Sequence, residues 1–354
     1  MTTALFLLKR REDYSTDPSY SGSYQIATGM WNSAKFVVDT LNQNNIPAEV
    51  QIVVDGNCID RYCMQHDPSV VFIEGLWVTP AKLQELMGLA RHAHRTWVVR
   101  IHSEIPFLAT EGIAMDWIGE YLKIGATVAP NAPRAHEQLK AFASMIGLSN
   151  SDVASRVIYL PNCFPTEFRA IASAELDTSE KETLDVACFG AYRPLKNHLQ
   201  QALVAMQFAA KHGKKLRFHV NDRKDQGGQS VFKNVEGMFR HLHSDKFELV
   251  VHGWEDRETF LQSLENIDLL MQDSLSETFN IVAADATLVG RPVLGNKEIP
   301  WLYPLYSDPT DQTAMMKVLD TIWANKSFFV NQNRQRLRSY ALQSEGVWVR
   351  LLKR

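Results

Sequence analysis

The chain has 354 residues, 45% of them hydrophobic, which is enough for two buried cores. Lys and Arg number 37 against 40 Asp and Glu, so a net charge of −3 excludes any global attraction to nucleic acid or anionic lipid, and such a partner would have to meet a local patch. No apolar run reaches the about 18 residues of a membrane span, the N-terminus lacks signal-peptide order, and Cys58, Cys63, Cys163 and Cys188 form neither a disulfide framework nor a metal-ligand spacing, so the expectation is a cytoplasmic chain with reduced thiols, no metal and no cofactor.

Residues 4–8 read as a short apolar strand, and 9–24 as a polar loop that mixes Lys9, Arg10 and Arg11 with Tyr14, Tyr20 and Tyr24 and contains Gly22 and Ser23. From 25 to 44, Ile26, Met30, Ala34, Phe36, Val37, Val38 and Leu41 trace a helix that ends in an Asn-rich stop. Alternation then continues: strands at 49–54, 69–73, 96–101, 127–129 and 157–160, with helices at 79–94, 113–125 and 133–146. This order predicts a doubly wound parallel sheet with its ligands beyond the carboxyl ends of the strands. His102 directly follows the strand at 96–101. A lone histidine is more often a satisfied structural residue, but a strand-end position favours function. His92 and His94 precede their strand and read as surface.

Residues 166–183 are polar and turn-rich, as a linker is. A second series follows: a strand at 185–189, the loop Gly190-Ala191-Tyr192-Arg193-Pro194-Leu195-Lys196-Asn197, a helix at 198–210, a strand at 216–220, a long segment over 221–245, and a strand at 248–251 that ends at His252-Gly253-Trp254. Between 211 and 246 there are nine Lys and Arg against four Asp and Glu, a local net charge of +5. Residues 268–295 form a βαβ half-unit, with an apolar run at 268–271, a turn at 272–276, a helix at 278–288 and a short strand after Gly290-Arg291-Pro292. Glu277 falls at the expected helix start and Asp285 eight residues on, a little over two turns, which would place both on one face toward one elongated ligand. The N–H groups of a helix start suit a phosphate. Helices at 313–324 and 332–342 complete the pattern.

Ser274-x-x-Glu277-x-Phe279, with Asp285-Ala286 and Gly290-x-Pro292-Val293, resembles the donor-site signature of GT-B glycosyltransferases, especially the large retaining family 4. The resemblance covers most of the C-terminal half and reaches the N-terminal half mainly through strand order. It implies an α/β protein with two Rossmann-like doubly wound domains facing an interdomain cleft: an acceptor domain over 1–165, joined by a C-terminal helix from about 335 to 354, and a donor domain over 184–334. It implies transfer with retention from a nucleotide-diphosphate sugar, a UDP-sugar by expectation, to an acceptor hydroxyl, with the donor phosphate acting as base. His102 stands where the family has a histidine near the anomeric carbon, and Glu277 and Lys196 complete the candidate catalytic set. Lys196 fits the lysine of the family's Gly-Arg…Lys motif that begins at Gly190; Ala191 stands at the arginine position, and Arg193 is the candidate replacement. Gly22 and Ser23 stand where family glycines approach the donor phosphates, His252, Gly253 and Trp254 where a loop meets the nucleobase, and Thr278, Phe279, Asn280, Ile281 and Asp285 along the donor. The family's second glutamate is Asp285 here, the glycines flanking its phenylalanine are Thr278 and Asn280, and Cys163 replaces a glycine in the segment leaving the first domain. Lys196, Arg193 and the helix start are expected to replace a metal in stabilising the leaving diphosphate.

For the acceptor, residues 100–109 are similar to phage-encoded transferases, some of which decorate hydroxymethylated bases in phage DNA, which would put the protein in a host cytoplasm. Arg10, Arg11, Tyr14, Tyr20, Arg223, Lys224 and Lys233 are then the expected holders of duplex DNA. The helix after Ile113 carries Lys123 against Asp116 and Glu120, which argues against a membrane acceptor. The alternatives are a soluble or surface glycan acceptor, and a GT-B-like protein that binds nucleotide-sugar without transferring it.

Overall fold

A computed structural model describes residues 3–9, 28–170, 176–225, 227–242 and 245–353, and divides the chain into two units, Met1–Pro165 with Ala341–Arg354, and Thr166–Tyr340. The first unit contains β1 (Ala4–Lys9), α1 (Thr28–Gln43), β2 (Ala48–Val53), α2 (Ile59–His66), β3 (Val70–Glu74), α3 (Pro80–Gly88), β4 (Thr96–Ile101), α4 (Ile105–Leu108), α5 (Ala114–Lys123), β5 (Thr127–Pro130), α6 (Pro133–Met145) and α7 (Asn150–Arg156). Its five strands are parallel in the order β2-β1-β3-β4-β5. Because side chains alternate along a strand, an apolar run such as Ala-Leu-Phe-Leu-Leu in β1 buries both faces. Leu5, Leu7, Val71, Ile73 and Val99 pack on one side with Leu83 of α3 and Ile118 of α5. Phe6, Phe72 and Val98 pack on the other with Val37 and Leu41 of α1 and with Trp348. Phe6 and Phe72 stack at 4.5 Å, and the Trp348 indole donates Nε1–H to the Pro161 carbonyl at 2.8 Å.

The second unit contains β6 (Thr183–Ala187), α8 (His198–Lys211), β7 (Lys215–Asn221), α9 (Gly228–His241), β8 (Phe247–His252), α10 (Arg257–Glu265), β9 (Leu269–Gln272), α11 (Ile281–Val289), β10 (Val293–Gly295), α12 (Gln312–Ala324) and the first part of α13 (Lys326–Leu352). Its strands are parallel in the order β10-β9-β6-β7-β8. A core of Val186, Phe218, Val220, Leu269, Met271 and Leu294 is closed by Ala205 and Phe208 of α8 and by Met315 and Leu319 of α12.

Several expectations are corrected. The segment at 157–160 makes only an isolated bridge, Val128 to Val157. Ile158 and Leu160 donate to the Val128 and Pro130 carbonyls, but the next rung needs an N–H at Pro130, which proline lacks. α2, α7, α9 and α10 lie in stretches where no helix was expected, and α13 is one helix of 27 residues that begins before the expected 332–342 and runs past it. No helix among the described residues is long and apolar enough to cross a membrane.

Candidate active site

In the second unit the chain starts at β6, builds outward through β7 and β8, then crosses to the other side for β9, so the strand order reverses between β6 and β9. Ligands of open α/β sheets sit beyond the carboxyl ends of the strands at such a reversal. The two loops that leave there, residues 188–197 and 273–280, are tied together: Leu275 N donates to the Leu195 carbonyl at 2.8 Å, and Lys196 Nζ pairs with Glu277 Oε1. Ser274 Oγ donates to the same carboxylate at 3.2 Å. The Lys196 side chain keeps 25% of its surface exposed, so the ammonium is both held and reachable.

Local backbone chemistry sets this geometry. Gly190 has a φ of +113°, a conformation that side-chain-bearing residues rarely adopt, and donates its N–H to Asn221 Oδ1 at 2.8 Å. A Cβ on it would lie 4.0 Å from Val282 Cγ2, so the loop passes against the first turn of α11. Asn197 sits at φ 58° directly before α8 and fixes the loop by donating Nδ2–H to the carbonyls of Asp273 and Pro309.

The helix starts too late for Glu277 and Asp285 to share one of its faces. α11 begins at Ile281, after Asn280 at φ 58°, whose side chain accepts from Ala283 N at 2.9 Å. Glu277 therefore lies in the loop, off the helix, and shares no helical face with Asp285. Asp285 is buried and ion-paired with Arg257 at 2.7 Å, tying α11 to α10. Burial lifts its carboxyl to about 6, against the pull of Arg257. Phe279 is also a core side chain, packed on Trp301 and Tyr340, and Asn280 is buried with its Nδ2 on Gln272 Oε1. Thr278 and Ile281 are partly exposed beside them.

Arg193 and Arg223 converge on one carboxylate, Asp225, at 3.5 and 3.1 Å. Arg223 lies over the Trp254 ring, with Cζ 5.2 Å from its centroid, and Lys224 Nζ lies 4.0 Å above Phe232. The expected acceptor pair Arg223 and Lys224 is thus engaged within its own unit and grouped with the donor candidates, while Lys233 on α9 is exposed. His252 Nε2 is 2.9 Å from His219 Nδ1, and His219 Nε2 is 3.0 Å from Asp185 Oδ1. Burial and the neighbouring His219 push His252 down. Gly253, between His252 and Trp254, is exposed.

In the first unit His102 follows β4, with Nε2 2.5 Å from Glu74 Oε2. Arg10, Arg11, Tyr14, Tyr20, Gly22 and Ser23 lie outside the described residues. Sequence reasoning passed over Glu74, Asp225, Arg257 and Asn221. Glu74 carried a signal, a carboxylate closing the apolar run Val70-Val71-Phe72-Ile73 at the ligand-facing end of a strand. Among the described residues no group of three or more His, Cys, Asp or Glu side chains is placed to hold a metal ion.

No protein-family model matches the chain, and no curated protein sequence does. Among solved structures, the chain is similar to a trehalose-6-phosphate synthase at a TM-score of 0.68 and 11% identity, over 100% of this chain and 99% of that one. It is similar to a UDP-forming α,α-trehalose-phosphate synthase from Burkholderia vietnamiensis at 0.65 and 11%, over 100% and 97%. A sucrose-phosphate synthase from Thermosynechococcus elongatus matches at 0.67 and 14%, over 99% of each chain. At these identities the likeness is one of fold, and with two five-stranded parallel sheets, each built from alternating strands and helices, the chain has the GT-B fold of two Rossmann-like domains.

Proposed function

We propose that the protein is a glycosyltransferase that takes a sugar, with retention, from a nucleotide-diphosphate donor held at the carboxyl edge of its second sheet. The observation that carries this reading is the Lys196–Glu277 pair at the strand-order reversal. A lysine there offers positive charge to a leaving diphosphate, and a carboxylate beside it can hold the lysine and accept from sugar hydroxyls. Arg193, in the same loop as Lys196, and Arg223, in the loop after β7, supply further positive charge in place of the arginine absent at Ala191. The aromatic and imidazole faces of Trp254 and His252 suit a nucleobase. UDP is the donor nucleotide we propose, in line with the UDP-forming synthase of the same fold. For His102 we propose the role that the resemblance gives it, contact near the anomeric carbon.

A sugar or sugar-phosphate hydroxyl is the acceptor we favour, since similar structures include synthases named for trehalose-phosphate and sucrose-phosphate. A hydroxymethylated pyrimidine in duplex DNA has less behind it, because Arg223 and Lys224 already have partners within their unit. The test is release of nucleoside diphosphate from a panel of nucleotide-sugars, followed by mass spectrometry of sugar phosphates, glycans and hydroxymethylated duplexes offered as acceptors. Transfer from at least one donor that is lost in Lys196→Ala is the expected result. Binding of nucleotide-sugar with no transfer to any acceptor would leave a non-catalytic binding protein instead.

A further inference from the structure

At the carboxyl end of β3, Glu74 is fully buried. Arg100 Nη1 donates to both of its oxygens, at 2.9 and 3.1 Å, and Oε2 also meets His102 Nε2 at 2.5 Å. Arg100 is buried as well: its Nη2 donates to Asn162 Oδ1 at 3.2 Å, and its Cζ lies 5.0 Å from the Trp348 ring centroid. Burial alone would push the Glu74 carboxyl up, but Arg100 and His102 outweigh it and hold the group below the usual carboxylate range.

A buried ion pair of this kind is weak evidence of a stabilising role, since apolar residues of the same volume often serve stability as well or better. This one stands behind a histidine that keeps 13% of its side chain exposed at the ligand-facing edge of the sheet. An ionised carboxylate only accepts hydrogen bonds, so the ring nitrogen that faces it must carry a proton. In a neutral ring that leaves Nδ1 as the acceptor. Arg100, by engaging both oxygens, stops the carboxylate from rotating away and so fixes the ring plane.

We infer that Glu74 is a positioning residue that holds His102 as its Nε2–H tautomer, so that Nδ1 is the atom His102 offers to a hydroxyl of the sugar undergoing transfer. The inference rests on the proposed transferase activity and on contact between His102 and substrate. Glu74 itself touches neither.

The test uses the full-length chain. Long-range ¹H–¹⁵N spectra identify the His102 ring by its loss in His102→Ala, and report its tautomer directly. Wild-type protein is expected to show Nε2–H, and Glu74→Gln a mixture of tautomers. With the donor and acceptor found in the panel, Glu74→Gln is expected to lower kcat by about tenfold or more while the donor KM stays within about twofold. An Nδ1–H tautomer in the wild type overturns the inference even if Glu74→Gln does not fold. Unchanged kcat in a folded Glu74→Gln overturns it too. Full activity in His102→Ala would overturn the role of His102 on which the inference depends, and is a separate result from either.

Discussion

A lysine side chain one-quarter exposed, with its ammonium held by a carboxylate, is kept where a diphosphate would need it, and the same pairing makes the two side chains act as one unit. Lys196→Ala and Glu277→Ala are each expected to lower kcat by about 10²–10³, and the double variant to be little worse than either single one, because coupled residues are not additive. Steady-state kinetics on the three variants, with circular dichroism to show that the fold is intact, check this; additive losses would separate the pair. Chelation tests the same charge stabilisation independently. If Lys196 and Arg193 carry the charge stabilisation, treatment with EDTA is expected to change the rate by less than about twofold, and loss of activity restored by Mn²⁺ or Mg²⁺ would overturn it. Lys196, Glu277 and Gly190 are singled out in the sequence by their resemblance to donor-site motifs, but the pairing of Lys196 with Glu277 is not legible there. Ion pairs join positions remote along the chain, 81 apart for Lys196 and Glu277, 28 for Arg257 and Asp285, 26 for Arg100 and Glu74, and nothing in local spacing announces them.

Elements with a strong apolar period were legible, and those whose ends depend on unusual backbone were not. The apolar strands and α1, α5, α6, α8 and α12 fall close to where periodicity places them. α11 starts later than its apolar pattern because Asn280, in a left-handed conformation, turns the chain before the helix can begin. α9 was hidden by its glycines: Gly227 precedes it at φ 88°, and Gly228 opens it. Gly228 is there for packing. A Cβ on it would meet the Tyr192 carbonyl oxygen at 2.0 Å, and the chain next to Tyr192 carries Arg193 and Lys196. Gly228→Ala is therefore expected to cost about 1–3 kcal/mol and to raise the donor KM by moving the 190–197 loop. Gly237, in the same helix, has nothing within 4 Å of an added Cβ, so Gly237→Ala is expected to stabilise by about 0.5–1 kcal/mol. Denaturant melts and donor titrations of the two variants provide the comparison, and equal effects from both would remove the packing role of Gly228.

Over the whole molecule, two buried carboxyls contribute a pH dependence opposite in sign to that of carboxylates held below their usual range, such as Glu74 and Asp185. Burial lifts Asp273 and Asp285 to about 6, above the usual aspartate value near 3.8. Their folded values exceed their unfolded ones, so the stability each contributes is present in full below about pH 4 and is lost as pH rises through about 6. Asp273→Asn, in which the Ser307 hydroxyl can turn to accept from the new amide, is expected to gain on the order of 1–3 kcal/mol over wild type at pH 8 and nothing at pH 4. A variant that gains equally at both pH values would show that titration of Asp273 is not the cause.

The charge of the whole chain bears most directly on the acceptor. A net charge of −3 offers DNA nothing, so a duplex would have to be held by the stretch at 211–246 and by Arg10 and Arg11. Within that stretch Lys211 pairs with Asp320, Arg217 with Asp185, Arg223 with Asp225 and Arg240 with Glu236, and Lys214 donates to three backbone carbonyls. Lys233, on the second turn of α9, is the exposed expected contact that remains, and Lys215, at the opposite end of the sheet, cannot share a duplex site with it. Counting about 0.9 in the log–log salt slope for each phosphate neutralised, five contacts through Arg10, Arg11, Arg223, Lys224 and Lys233 would give a slope near 4.5, whereas with Arg223 and Lys224 already engaged the other three give at most about 2.7. A slope below about 3, or no binding at low salt, is expected from a titration of plain and hydroxymethylated duplexes over several salt concentrations, since cations already paired within the fold release few counterions. Replacing Arg223 or Lys224 should then leave the slope unchanged, and replacing Lys233 should lower it by about one unit at most. A slope above about 4, falling by about one unit with each cation replaced, would instead show a duplex held by these five cations and, with a glycosylated base found by mass spectrometry, displace the sugar hydroxyl as acceptor.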